Sequence, residues 1–96
     1  TISYKISDET MLPRFTPGDL VAGVTHPSDQ YDELKNQICI VELESGEKLL
    51  RQLKYCNSTQ TFYLLCTNQD AAPAKLMIKK PTIKHIAKVV WHRRAS

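Results

Sequence analysis

The sequence predicts an all-β fold, mainly short antiparallel strands with little or no helix. Its apolar residues are largely Val, Ile and Leu with scattered aromatics, a mixture that suits pleated, half-buried surfaces. Short apolar segments also recur at roughly ten-residue spacing, separated by polar turn-forming groups, a pattern typical of β-sheets and barrels. With 96 residues, 42% of them hydrophobic, residues 1–96 are expected to form a single domain around one core.

Two strands are predicted in the first quarter of the chain. Residues 2–6 alternate apolar and polar side chains, which is the period of a half-buried strand. A second strand is predicted over residues 19–24, after the tight turn that Gly18 and Asp19 favour. The polar residues 25–37 should form a loop, with one helical turn around residues 31–34.

The middle of the chain predicts a three-stranded meander. The run ICIVEL at residues 38–43 and the segment KLLRQLKY at residues 48–55 flank a turn of the hairpin type. A second polar turn leads to TFYLLCT at residues 61–67. A loop over residues 68–74 and a short strand over residues 75–79 should follow.

The last predicted strand, residues 82–92, carries apolar side chains at both parities. A small domain with one core is expected to bury only one face of such a strand. The other face is then left for a partner chain, or it is covered by a loop of the same chain. The candidate interface residues are Ile86, Val89, Val90 and Trp91.

Composition narrows the function classes. A net charge of +3, with basic and acidic residues interleaved over much of the chain, is not the clustered basic face of a strong nucleic-acid binder. No run reaches the roughly 18 apolar residues of a membrane span, and the first residues given lack the charged and apolar regions of a signal peptide, so no membrane contact is expected. The three cysteines lack C-x-x-C spacing, which predicts that they are reduced, structural thiols. The three histidines are far apart in the sequence, so neither a metal site nor a cofactor is expected.

Residues 7–21, SDETMLPRFTPGDLV, carry the most specific pattern in the chain. This loop resembles that of the LexA-like family, which includes temperate-phage CI repressors and whose hallmark is Gly-x-Ser-Met, a Pro two residues later, and Pro-Gly-Asp-Leu-Val. Met11, Pro13 and residues 17–21 match the hallmark in type and spacing. Thr10 stands in place of the serine, and Asp8 in place of the glycine.

The resemblance continues through the hairpin and the closing strand, and it implies a small domain of highly twisted strands. In this family the loop serine is a nucleophile and a hairpin lysine is its general base, and together they cut the chain's own upstream hinge. The aligned hairpin residues here place Arg51 at the lysine position. A guanidinium stays protonated and has no lone pair to offer, so no catalytic residue and no enzymatic activity is expected. Thr10 and Arg51 should still lie close together as vestiges of the site.

The resemblance implies that the chain is the self-association domain of a CI-type phage repressor. It would form homodimers and higher homo-oligomers, support cooperative operator binding and lysogeny, and work in the cytoplasm of the bacterial host. DNA would be bound only through an N-terminal domain which, with the hinge, lies outside this chain. An antirepressor protein is a further expected partner, because induction by self-cleavage would be lost.

Two alternatives of other classes stay open at this point. One is an active self-cleaving protease that uses Thr10, or Thr1 as an N-terminal nucleophile. The other is a small β-barrel nucleic-acid-binding module that uses Trp91 and the cations of the C-terminal third: Lys79, Lys80, Lys84, Lys88, Arg93 and Arg94.

Overall fold

A computed structural model describes residues 1–68, 70, 76–79 and 81–95. Within these residues, seven strands form one antiparallel sheet in the order β1-β2-β7-β3-β4-β5-β6. The strands are β1 (Ile2–Lys5), β2 (Leu20–His26), β3 (Ile38–Leu43), β4 (Lys48–Cys56), β5 (Thr61–Leu65), β6 (Met77–Lys79) and β7 (Ile83–Arg93). A 3-10 helix, η1 (Ser28–Leu34), joins β2 to β3.

The predicted all-β fold is confirmed. The strand bounds lie within about two residues of those expected, and β3 has the predicted bounds. The polar connection that was expected to hold one helical turn contains the seven-residue η1 instead. Most of the predicted loop 68–74, the start of the predicted strand at residue 75, and Lys80 lie outside the described residues. In the described part of the chain, no helix is long and apolar enough to cross a membrane.

The last strand of the chain is a central strand of the sheet. The predicted meander of β3, β4 and β5 is present, but β7 inserts between β2 and β3 and pairs with both. Sequence periodicity identifies strands but does not order them, because pairing joins residues that are far apart in the chain. The central position of β7 gives it core contacts on both faces.

The sheet has a hydrophobic cluster on each face. One face, here called the loop face, is covered by residues 6–19, which contribute Ile6, Met11 and Phe15. The opposite face, here called the helix face, is covered in part by η1 through Leu34. The sheet residues of the loop-face cluster include Val21, Ile40, Leu50 and Ala87, and those of the helix-face cluster include Cys39, Val41, Leu49, Leu53, Leu64 and Ile86.

These two clusters correct part of the predicted interface. Ile86 was expected to be available to a partner, but its side chain is fully buried in the helix-face cluster. Its neighbour Ala87 is buried in the loop-face cluster, so both faces of β7 are covered at this point. The expectation that only one face would be buried was wrong because the sheet is sandwiched between a loop and a helix. Val89 is half-buried against the loop-face cluster, whereas Val90 and Trp91 are 61% and 46% exposed.

A β-bulge near the end of β7 explains this change in exposure. Gly23 pairs with Val89 and Ala22 pairs with Trp91, so Val90 is the extra residue. A bulge of this kind increases the local twist and redirects the side chains that follow it. A Cβ atom on Gly23 would lie only 2.6 Å from the carbonyl oxygen of Lys88, so glycine permits the close approach of β7.

Candidate functional site

The loop at residues 6–19 is fixed at both ends. Its ends are joined by hydrogen bonds from the Ile6 amide to the Asp19 carbonyl (2.9 Å) and from the Gly18 amide to the Ile6 carbonyl (2.8 Å). Its middle is attached to the chain that leaves β5, because the Asn68 amide donates to the Thr10 carbonyl at 2.9 Å. The Asn68 side chain also donates to the Glu9 carbonyl at 2.7 Å. Thr10 therefore has a defined position beside β4 and the end of β5.

The expected proximity of Thr10 and Arg51 is confirmed. Arg51 Nη1 donates a hydrogen bond of 2.9 Å to Thr10 Oγ1, across 41 residues of sequence. Arg51 lies on β4 one residue before the pairing with β5 begins at Gln52. Both side chains are only 3% exposed, so the contact is buried.

The Thr10 hydroxyl connects a cation to a carboxylate. It accepts the bond from Arg51 and donates its own proton to Asp8 Oδ1 at 2.7 Å. The Thr10 amide donates to the same carboxylate oxygen at 3.2 Å. Activation of a hydroxyl nucleophile needs an adjacent base and an approach for the substrate. Here the neighbour of the Thr10 hydroxyl is the Arg51 guanidinium, which donates a hydrogen bond to it and is not a base. The contact is buried, so a substrate has no approach to the hydroxyl.

Arg51 is a buried cation with incomplete hydrogen bonding. Its Nη1 also donates to the Leu50 carbonyl at 2.8 Å, while Nε is buried without a hydrogen-bond partner. Its strand neighbours of the same parity, Leu49 and Leu53, are buried in the helix-face cluster. Neither position therefore supplies a replacement amine base.

Buried Asp19 and half-buried His92 form a second polar contact that the sequence did not indicate. Asp19, 1% exposed, accepts hydrogen bonds from the Ala95 amide (2.8 Å), the Thr16 amide (3.0 Å) and His92 Nε2 (2.8 Å). These donors, Ala95 and Thr16 first and His92 next, hold the pKa of Asp19 well below its usual range. The His92 ring also packs against Phe15 with centroids 4.6 Å apart. The opening loop and the end of the chain are thereby joined.

The last described residues of the chain are only partly solvated. Arg93 and Arg94 are exposed, but the Ala95 amide donates a hydrogen bond to buried Asp19. Ser96 lies outside the described residues. The Arg93 guanidinium is 5.9 Å from the Trp91 ring centroid, within the range of a cation-π contact.

Exposed apolar side chains gather on the helix face, where η1 does not cover the sheet. Strand pairing places Trp91 beside Ala22, and Val24 alternates with Ala22 on the same side of β2. Val90 has the parity of Ile86, which lies in the helix-face cluster. We call this surface the outer patch; its residues are Leu20, Ala22, Val24, Val90 and Trp91. Of the four large apolar side chains exposed in the described part of the chain, three belong to it; the fourth, Met77, is on β6.

The charged side chains that β1, β2 and β7 place beside the outer patch are cations. Lys5, Lys88 and Arg93 lie on the same face, opposite Leu20, Val24 and Leu20 respectively. All three cations are exposed, and strands β1, β2 and β7 contain no acidic residue. An apolar centre with a charged rim is the usual anatomy of a protein interface.

The three cysteines are free thiols. Cys39 and Cys66, which come from apolar runs, are buried, and burial raises the pKa of Cys39 to about 12. Cys56 is half-buried, and hydrogen bonds from Ser58 and then Thr59 lower its pKa to about 6. Among the residues that the structure describes, no group of three His, Cys, Asp or Glu side chains could hold a metal ion.

Comparison with protein-family models, with curated proteins and with solved structures finds no match to this chain. Two features of the molecule itself therefore bear on its function. One is the buried contact between Thr10 and Arg51. The other is the outer patch with its cationic rim.

Proposed function

We propose that this chain is the self-association domain of a transcriptional repressor of the CI type, resembling the LexA-like family but without proteolytic activity. It forms homodimers and higher homo-oligomers in the cytoplasm of a bacterial host. DNA is read by another part of the repressor. This function maintains lysogeny by keeping the repressor on its operators.

The outer patch is the observation that carries the proposal. Val24, Val90 and Trp91 are 47%, 61% and 46% exposed on the neighbouring strands β2 and β7. The other half of the same sheet face is covered by η1. Contiguous exposed apolar side chains on a small domain mark an interaction surface. Tryptophan and arginine, which lie together here, are enriched among the residues that dominate binding energy.

The Thr10 and Arg51 contact supports a non-enzymatic role over the protease alternative. A lysine at position 51 could lose its proton on burial and act as a base, but a guanidinium stays protonated in proteins and has no lone pair to offer. The Thr10 hydroxyl is also inaccessible, at 3% exposure. Release from DNA would then depend on another protein, such as an antirepressor, rather than on self-cleavage.

Avidity explains how self-association serves repression. Two DNA-binding units joined through a dimer bind neighbouring half-sites with a raised effective concentration, and the second binding event becomes intramolecular. Contacts between dimers extend the same gain to neighbouring operators. No new contact with DNA is required of this domain.

Sedimentation of the chain across a range of concentrations tests the proposal. We expect the wild type to associate, and Trp91→Asp or Val90→Asp to lower the average mass while leaving the β circular-dichroism spectrum unchanged. Met77→Asp is the matched control, because Met77 is 42% exposed but lies on β6, away from the outer patch. A wild type that remains monomeric at the highest soluble concentration would refute the proposal.

A further inference from the structure

The helix face consists of a covered half and an open half. η1 covers the sheet with Leu34 buried in the helix-face cluster and with Tyr31 packed edge-on against Phe62 of β5 at 6.2 Å. The open half, formed by β1, β2 and β7, carries the outer patch. The halves are adjacent, because β2 ends at His26 and η1 begins at Ser28.

The two halves differ in charge. The rim of the outer patch provides Lys5, Lys88 and Arg93 and no acid. η1 has the sequence SDQYDEL, with three exposed acids and no base; the acids are Asp29, Asp32 and Glu33. Lys35 pairs with Asp32 at 3.6 Å, while no ion pair within 4 Å involves Asp29, Glu33 or the three patch cations in the described part of the chain.

We propose that two copies of this chain dimerise reciprocally through the helix face, the η1 of each copy covering the outer patch of the other. The inference rests on the proposed self-association and specifies its geometry. The partner's η1 would contact β1, β2 and β7 through its exposed acidic side, because its Leu34 stays buried against its own sheet. Both contacts form at once, because a two-fold rotation exchanges the halves.

Charge complementarity selects this arrangement over a contact between two outer patches. Patch against patch would place Lys88 and Arg93 of the two copies against each other, and like charges across an interface are strongly unfavourable. Patch against helix instead pairs these cations with Asp29 and Glu33. The apolar side chains of the outer patch then leave water in both halves of the dimer.

A charge-reversal exchange tests the geometry. The first variant, Lys88→Glu with Arg93→Glu, makes the patch rim acidic, and the second, Asp29→Lys with Glu33→Lys, makes η1 basic. Alone, each variant meets like charge in both contacts, and we expect its dimer dissociation constant to rise at least about tenfold. Mixed in equal amounts, the variants regain opposite charges in both contacts and should form a heterodimer near wild-type strength.

A control variant changes charge on a part of the surface that the proposed dimer does not use. Glu44→Lys with Glu47→Lys changes the charge equally at two exposed residues of the β3–β4 turn and should leave dimerisation unchanged. All six positions are exposed, and circular dichroism of each variant checks its fold. If the η1 variant dimerises like wild type, or the mixture stays monomeric, the reciprocal geometry is overturned. Absence of wild-type association would instead overturn the proposed function.

Dimerisation of the unaltered chain gives a second measurement. Exposed charge pairs are screened by salt, with a Debye length of about 10 Å at 0.1 M. The reciprocal contact should therefore weaken as salt rises from low concentration. Patch-on-patch dimers, with repelling cations, would strengthen over the same range and would contradict the proposal.

Discussion

At the scale of single residues, the Thr10–Arg51 contact and the Asp19–His92 contact each join distant segments of the described chain, and the sequence predicted only the first. Thr10 and Arg51 were expected to meet because each lies in a segment that resembles a known motif, and they are joined at 2.9 Å. Asp19 and His92 are 73 residues apart and belong to no shared motif. Their contact depends on β7 lying beside β2, which periodicity does not reveal.

Asp19 leads to a prediction about pH. Replacing it by asparagine should destabilise the domain at pH 7, because the carboxylate accepts bonds from Ala95, Thr16 and His92 that a neutral amide cannot all accept. The pKa of Asp19 is lowered in the fold from the ordinary 3.8, so its stabilising effect is complete above about pH 4 and is lost as pH falls towards the folded value. Urea unfolding at several pH values should show the gap between wild type and Asp19→Asn narrowing below pH 4.

Asp70→Asn provides the control for this measurement. Asp70 is exposed, so its replacement should leave the stability curve close to that of the wild type at every pH. A gap for Asp19→Asn that stays constant between pH 7 and the acid range would show that the charge on Asp19 does not stabilise the fold.

At the scale of elements, local patterns located strands but not their neighbours. The alternation in residues 2–6 and the apolar run at residues 38–43 depend only on adjacent side chains, and β1 and β3 form where they predict. The central place of β7 depends on pairing with β2 and β3, elements that end 57 and 40 residues before β7 begins. Ile86 was assigned to a partner surface for this reason, although it fills the helix-face cluster.

The β2–β7 bulge leads to a prediction about Gly23. In Gly23→Ala, the new Cβ would lie 2.6 Å from the Lys88 carbonyl oxygen, which belongs to a central strand and has little room to move. We expect the free energy of unfolding to fall by about 2–3 kcal/mol, as for an overpacked core. Amide exchange at Lys88 and Val89 should accelerate as the pairing loosens.

Gly46→Ala separates this clash from backbone strain. Gly46 has φ +93°, and apart from its two chain neighbours no atom of the described residues lies within 4 Å of the position that an alanine Cβ would take, so we expect the strain to be confined to the β3–β4 turn. Its effect on amide exchange should be confined to that turn. If the amide exchange rates along β7 in Gly23→Ala equal those of the wild type, the bulge does not require a glycine at position 23.

At the scale of the whole molecule, the distribution of charge decides which partners fit. Lys79 alternates with Ile78, which packs against the helix-face cluster, so Lys79 is on the loop face. Lys88 lies on the helix face, and four strand intervals of about 4.8 Å, roughly 19 Å in all, separate β7 from β6. The described basic residues of the C-terminal third therefore do not line one continuous surface.

This separation predicts weak, non-specific binding of duplex DNA by the chain. Each phosphate neutralised contributes about −0.9 to the slope of log affinity against log salt. Only cations on one face can contact a duplex together, and the outer patch has three, so we expect a slope equivalent to no more than about three phosphates. Fluorescence anisotropy over a salt series measures it, with the Lys88→Glu and Arg93→Glu double variant as the control for the patch rim. A slope equivalent to about four or more phosphates, reduced both by Lys79→Ala and by Lys88→Ala, would require one basic surface that reaches both residues. That result would favour the nucleic-acid-binding alternative, because the outer patch would then place Trp91 and its cations against bases and phosphates rather than against a second copy of the chain.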